Sequence, residues 1–96
     1  MNLLNVERAA LQAIDKFTNQ KIINTNDPSI QSILAQLNFI ASCAKQGKNP
    51  RSSLPEGKSF TYGIISSREF ASPDELELKK YLIEVDKELY PEAYKS

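Results

Sequence analysis

Residues 28–46 constrain the fold more than any other stretch of the chain. Ile30, Ile33, Leu34, Leu37, Ile40, Ala41 and Ala44 recur at three- and four-residue steps, the spacing of one face of an α-helix. Both ends carry signals. Asp27 precedes Pro28, which places an N-capping carboxylate before a proline at the first helical position, where its missing N–H breaks no bond. Gly47 follows the stripe and suits a left-handed C-terminal cap. A helix with one apolar face is stable only against other elements, so the rest of the chain must supply partners.

Two further segments have the same character. Over residues 2–19, Leu3, Val6, Ala10, Ile14 and Phe17 form a stripe with no Gly or Pro inside it. Leu4 and Leu11 fall off that stripe, which predicts contact with two neighbours. Ser72-Pro73-Asp74-Glu75 reads as a capping box: the Ser72 side chain caps forward and Glu75 reaches back to the Ser72 amide. The helix it opens runs over 73–90, with Leu78, Tyr81, Leu82, Val85 and Leu89 inward, and stops before Pro91.

The remaining segments are less regular. Residues 47–58 hold Gly47, Pro50, Ser52, Ser53, Pro55 and Gly57 and read as a loop, with Lys48, Arg51 and Lys58 as basic points. A solvated connector is the expectation, and anion binding the alternative. Residues 60–70 contain β-branched Ile64 and Ile65 beside Gly63, yet no partner strand exists elsewhere. A lone strand leaves its backbone groups unpaired. A short helix with Phe60, Ile64 and Phe70 inward is therefore expected. Phe39 lies off its helix stripe, as a second packing face or an exposed aromatic. The expected fold is all-α: one domain over residues 1–96, a compact antiparallel bundle of about four helices at 2–19, 28–46, 60–70 and 73–90.

Composition narrows the chemistry. The chain of 96 residues contains no His and no Trp, and Cys43 is its one cysteine. Without His, the commonest general base and zinc ligand are missing. Cys43 has no base to activate it and is expected to fill space in the core. The three glycines, Gly47, Gly57 and Gly63, are too far apart for a phosphate loop. No catalytic residue, metal site or cofactor is expected, and the chain does not read as an enzyme. The N-terminus lacks the basic start and apolar core of a signal peptide, and no run reaches the roughly 20 apolar residues of a membrane helix. The cytoplasm is the expected compartment.

Charge is balanced overall, at 12 basic and 12 acidic residues, which argues against general nucleic-acid binding. It is uneven along the chain. Residues 1–72 carry eight basic and five acidic side chains, and residues 73–96 carry four basic and seven acidic. This is either two solvated surfaces of opposite sign or an acidic docking face at the C-terminal end. At about 100° per residue, Leu76, Ile83 and Tyr90 share a second line on the last helix, and Glu77, Glu84 and Glu88 form a separate acidic edge. Internal packing is the reading for Leu76. Ile83 and Tyr90 either pack internally or meet a partner.

From Leu34 onward the chain resembles a known family. The resemblance rests on Gln36-Leu37 and Ile40, on Phe60-Thr61-Tyr62-Gly63-Ile64-Ile65-Ser66-Ser67-Arg68-Glu69-Phe70, and on Ser72-Pro73-Asp74-Glu75-Leu76 with Tyr81-Leu82. These residues look like the small immunity proteins of interbacterial type VI secretion systems that neutralise a toxin degrading NAD and NADP. In that family a Thr-x-Gly-x-Ile segment leads into a basic residue, then Glu-Phe, then a Pro/acidic/Leu helix start. Thr61, Gly63, Ile65, Arg68, Glu69 and Phe70 occupy those positions here.

The resemblance implies a helical, non-enzymatic protein that binds the catalytic domain of a cognate toxin and covers its substrate cleft. Candidate partner-binding residues are Ser66, Ser67, Glu69, Glu77, Ile83, Glu84, Glu88 and Tyr90. Glu69 either contacts the toxin, forms a surface pair or caps a turn, and Ser66 and Ser67 either bond a partner or are simply exposed. Gly63 is expected to permit close helix packing. An immunity protein for a different toxin, such as a contact-delivered nuclease, is the alternative. A helical adaptor or homodimer with Leu76, Ile83 and Tyr90 as its seam is a third reading.

Overall fold

The computed structural model describes residues 1–19 and 23–94. Four substantial helices form: α1 (Leu3–Thr18), α2 (Pro28–Lys45), α4 (Tyr62–Glu69) and α5 (Pro73–Leu89). A single helical turn, α3 (Pro50–Ser53), lies between α2 and α4, and a 3-10 turn (Pro91–Tyr94) follows α5. No strand occurs among the described residues, and the all-α expectation holds. Lys95, counted in the C-terminal charge, lies outside the described residues.

The helix ends form for the expected reasons. Asp27 accepts the Ser29 amide at 2.8 Å, with Pro28 in the first turn. At the far end Gly47 adopts φ +75°. The Gly47 amide bonds the Ala44 carbonyl and the Lys48 amide reaches back to Cys43, the paired bonds of a Schellman cap. In the α5 capping box, the Glu75 amide donates to Ser72 Oγ at 3.3 Å. The Ser72 amide donates to Glu75 Oε1 at 3.0 Å and the Ala71 amide at 3.2 Å. Those backbone donors hold the Glu75 carboxyl below its ordinary value.

α1 packs along both α2 and α5, and the shorter α4 touches both α2 and α5. α1 runs antiparallel to α5. Lys16, near the end of α1, sits over the ring of Tyr81, while Asn5 and Arg8, near its start, share a hollow with Glu84 and Glu88. The core holds Val6, Ala10, Ala13 and Phe17 from α1, Ile33, Leu37 and Ile40 from α2, and Leu78, Leu82, Val85 and Leu89 from α5. Phe17 meets Phe70 with ring centroids 6.0 Å apart. Cys43 is buried and free.

Several expectations need correction. α1 does touch two neighbours, but not through Leu4 and Leu11, which are 62% and 51% exposed. Ala13, outside the expected stripe, is instead fully buried in the core. In α4 the inward residues are Tyr62 and Ser66, with Ile65 partly buried, while Ile64 is 55% exposed. The helix begins at Tyr62, and two residues on is about 200° around the axis, so Ile64 points away. Phe60 and Phe70, flanking α4, do pack on the core. Leu76 is 46% exposed, because it falls on the solvent ridge of α5. Gly63 does not mark close packing: a Cβ there would meet nothing within 4 Å. Phe39 is half-buried and packs on Phe60, as a second packing face.

The 47–58 stretch is not wholly a loop. Asn49 caps the α3 turn by accepting the Arg51 amide at 2.9 Å, and Pro50 is buried. Arg51 does not wait for an anion. Its Nη1 donates to the Leu89 carbonyl at 3.2 Å and to Glu92 at 2.8 Å, and its guanidinium lies 4.3 Å from the Tyr90 ring centroid.

Replacing Leu37 by Ala should cost about 2–5 kcal/mol in urea unfolding, because it opens a cavity in a fully buried site. Gly63→Ala should instead raise stability by about 0.5–1 kcal/mol, since the methyl enters open space and improves helix propensity.

A candidate partner-docking cleft between α4, α5 and the C-terminal turn

α4 carries too few apolar residues to be held by the core alone, and two polar devices position it. Thr61, its N-cap, makes no side-chain cap of its own. Gln36 of α2 replaces it. Gln36 Oε1 accepts the amides of Thr61 at 2.8 Å and Tyr62 at 3.0 Å, and its Nε2 donates to Thr61 Oγ1 at 2.9 Å. Two orphan amides of the helix start are thereby satisfied from across the bundle.

The second device is a carboxylate between two phenols. Tyr62 Oη donates to Asp86 Oδ1 at 2.6 Å, and Tyr94 Oη donates to Asp86 Oδ2, also at 2.6 Å. Asp86 thus ties α4 and the C-terminal turn to α5. Burial, and then the facing Asp86 carboxylate, push the Tyr62 phenol far above the ordinary tyrosine value. The hydrogen bond to Asp86, with some burial, pushes Tyr94 up to about 12. In both cases the anion would face a carboxylate.

Between these supports lies a cleft of about 240 Å³. Tyr62, Gly63, Ser66 and Ser67 form one wall, Lys79, Leu82, Ile83 and Asp86 the other, and Tyr94 closes one end. Lys79 Nζ donates to Ser67 Oγ at 3.3 Å across it.

The structure separates the candidate binding residues. Ser66, Ser67 and Ile83 converge on this cleft. Ser66 is only 1% exposed, and its hydroxyl donates to the Gly63 carbonyl at 3.1 Å, so it serves its own helix. Glu84 and Glu88 lie on another side of α5, in a hollow with Asn5, Arg8 and Gln12. Glu77 pairs with Lys80 at 2.9 Å, and Glu84 lies 3.6 Å from Lys87. The acidic edge is thus partly offset by lysines of its own helix. Glu69 neither pairs nor caps among the described residues, and lines a third hollow with Asp27, Ile30 and Glu75. Tyr90 is half-buried, packs on the core and lies under Arg51.

Gln36, Asp86 and Tyr94 escape notice in the sequence as structural supports. Asp86 lies 24 residues from Tyr62 and eight from Tyr94, and no local pattern links them. Lys79 escapes too, as one of several lysines.

Asp86→Ala should lower stability by about 1–3 kcal/mol in urea unfolding, because the buried Tyr62 hydroxyl loses its acceptor. It should also return Tyr94 from about 12 toward 10.0 in a tyrosinate absorbance titration. In the unaltered protein the raised phenols contribute fully below pH 10.0 and less as the pH rises toward about 12. Above pH 10.0 the unfolded tyrosines release protons that the folded ones retain, so the thermal midpoint should fall with rising alkalinity.

Among the described residues, no helix is long and apolar enough to cross a membrane. No curated protein and no solved structure matches the chain. The profile of one protein family, Tsi6, matches residues 6–91, which takes in most of α1, all of α2 to α5 and therefore both walls of the cleft. The chain belongs to the Tsi6 family of type VI secretion immunity proteins, whose role is to bind a cognate toxin protein rather than to catalyse a reaction.

Proposed function

We propose that this chain neutralises, in the cytoplasm, an interbacterial toxin that degrades NAD and NADP, by seating on its catalytic domain and covering the substrate cleft. The observation that carries this reading is the 61–70 motif. Its residues resemble those of immunity proteins against such toxins, and they form α4, held from two sides with one flank open to a partner. Rigid support matters because a surface ordered before association loses less entropy on binding.

The acidic edge supplies a second element. Glu77, Glu84 and Glu88 lie about 100–140° around α5 from Ile83, beside the cleft rather than within it. A toxin cleft shaped for dinucleotide phosphates would be basic. Acidic residues facing it would speed the encounter and compete for the same cations. No residue of the chain is assigned a catalytic role, and no cofactor is required. Occlusion needs only shape, a few buried anchors and complementary charge.

The test is co-expression with the cognate toxin. Cells should keep their NAD and their viability, and the purified pair should associate. Loss of nucleic acid with steady NAD in cells carrying the toxin alone would transfer the reading to a nuclease. A pair that does not associate would end it. The double variant Glu84→Lys, Glu88→Lys should associate more slowly and with a weaker dependence on salt, as followed by stopped-flow mixing.

A further inference from the structure

We propose that the α4–α5 cleft receives an acidic side chain of the toxin, its carboxylate on Lys79 and Ser67 and its stem against Ile83. This rests on the immunity reading above and names where and by what chemistry the partner is gripped.

The charge around the cleft selects the ligand. Asp86 is the carboxylate of the lining, and both of its oxygens already accept tyrosine hydroxyls at 2.6 Å. Lys80 and Lys87, elsewhere on α5, lie against Glu77 and Glu84. Lys79 has no ion-pair partner among the described residues. Its ammonium makes one bond, to Ser67 Oγ at 3.3 Å, and so has two more protons to donate. Ser67 accepts that bond and keeps its own hydroxyl proton. A cation and a neutral donor therefore stand side by side at the rim, matched to the two oxygens of a carboxylate.

Shape agrees. At about 240 Å³ the cleft is smaller than the ~300–1,000 Å³ of small-molecule sites, and it suits one inserted side chain. Leu82 and Ile83 give an apolar bed for a carbon stem. Opposite them Gly63 leaves its wall set back, with nothing within 4 Å of where a Cβ would stand. The exposed Leu76 lies about 20° around α5 from Ile83 and extends the apolar rim beyond the cleft. An incoming loop thus meets an apolar ridge beside a charged notch, the arrangement of an interface anchor within a water-excluding border.

The experiment measures binding of the full chain to the catalytic domain of the cognate toxin. Lys79→Glu should weaken the complex at least roughly tenfold, and Lys79→Met by less, both without lowering the thermal midpoint of the free chain. Ser67→Cys in a Cys43→Ala background, labelled with a photo-crosslinker, should capture the toxin, with the attachment mapped beside an Asp or Glu. Unchanged affinity in both Lys79 variants would overturn the cleft assignment and leave the immunity reading intact. Capture of a second copy of this chain in place of the toxin would overturn it in favour of self-association. If the unaltered chain fails to bind the toxin at all, the immunity reading fails, and this inference with it.

Discussion

Asp86 is the point on which the candidate docking face of this protein depends. One of its oxygens holds Tyr62 of α4 and the other holds Tyr94 of the C-terminal turn, while its backbone belongs to α5. A carboxylate with both oxygens occupied by phenols is satisfied without a cation. That arrangement fixes the elements that line the cleft relative to one another. Lys79, in the same lining, has no ion-pair partner among the described residues and is the cation proposed to meet the toxin.

The bundle divides into a stiff part and a supported part. α1, α2 and α5 share the apolar core, where Phe17, Ile33, Leu37, Ile40, Val85 and Leu89 are fully buried. α4 contributes Tyr62 and Ser66 to the interior, with Ile65 beside them, and depends on Gln36 at its start and Asp86 at its side. Apolar burial is insensitive to exact position, whereas hydrogen bonds fix distance and angle. A short helix held mainly by such bonds is accurately placed but loosens at smaller cost than the core helices. That suits the element proposed to meet the toxin.

The helix boundaries were legible because they follow from local chemistry. Asp27-Pro28, Gly47 and Ser72-Pro73-Asp74-Glu75 cap their own neighbours, and no distant residue is needed to read them. The helical character of α4 followed from exclusion, since a lone strand has no ladder partner. Its phase did not follow. Ile64 has the more apolar side chain, but the helix begins at Tyr62, where Gln36 takes up the first amides, and that start turns Ile64 to solvent. Leu4, Leu11 and Leu76 mislead for a related reason: apolar side chains remain common on protein surfaces, so an apolar residue off the main stripe need not be covered. The candidate binding residues are brought together only in part. Ser67 and Ile83 reach one cleft, but Glu69, the acidic edge and Tyr90 scatter to other sides of the bundle.

By itself the sequence determined the helices, their caps, the main apolar stripes and the resemblance of residues 60–76 to an immunity motif. These depend on spacing within a turn or two of helix, which is set along the chain. The tertiary structure alone decided that Gln36 caps a helix 25 residues away and that one aspartate fastens two tyrosines from different elements. It alone decided that Lys79 stands beside Ser67 with no ion-pair partner among the described residues. Such pairings depend on which helix faces lie together, and that is settled by packing of the whole bundle rather than by any local pattern.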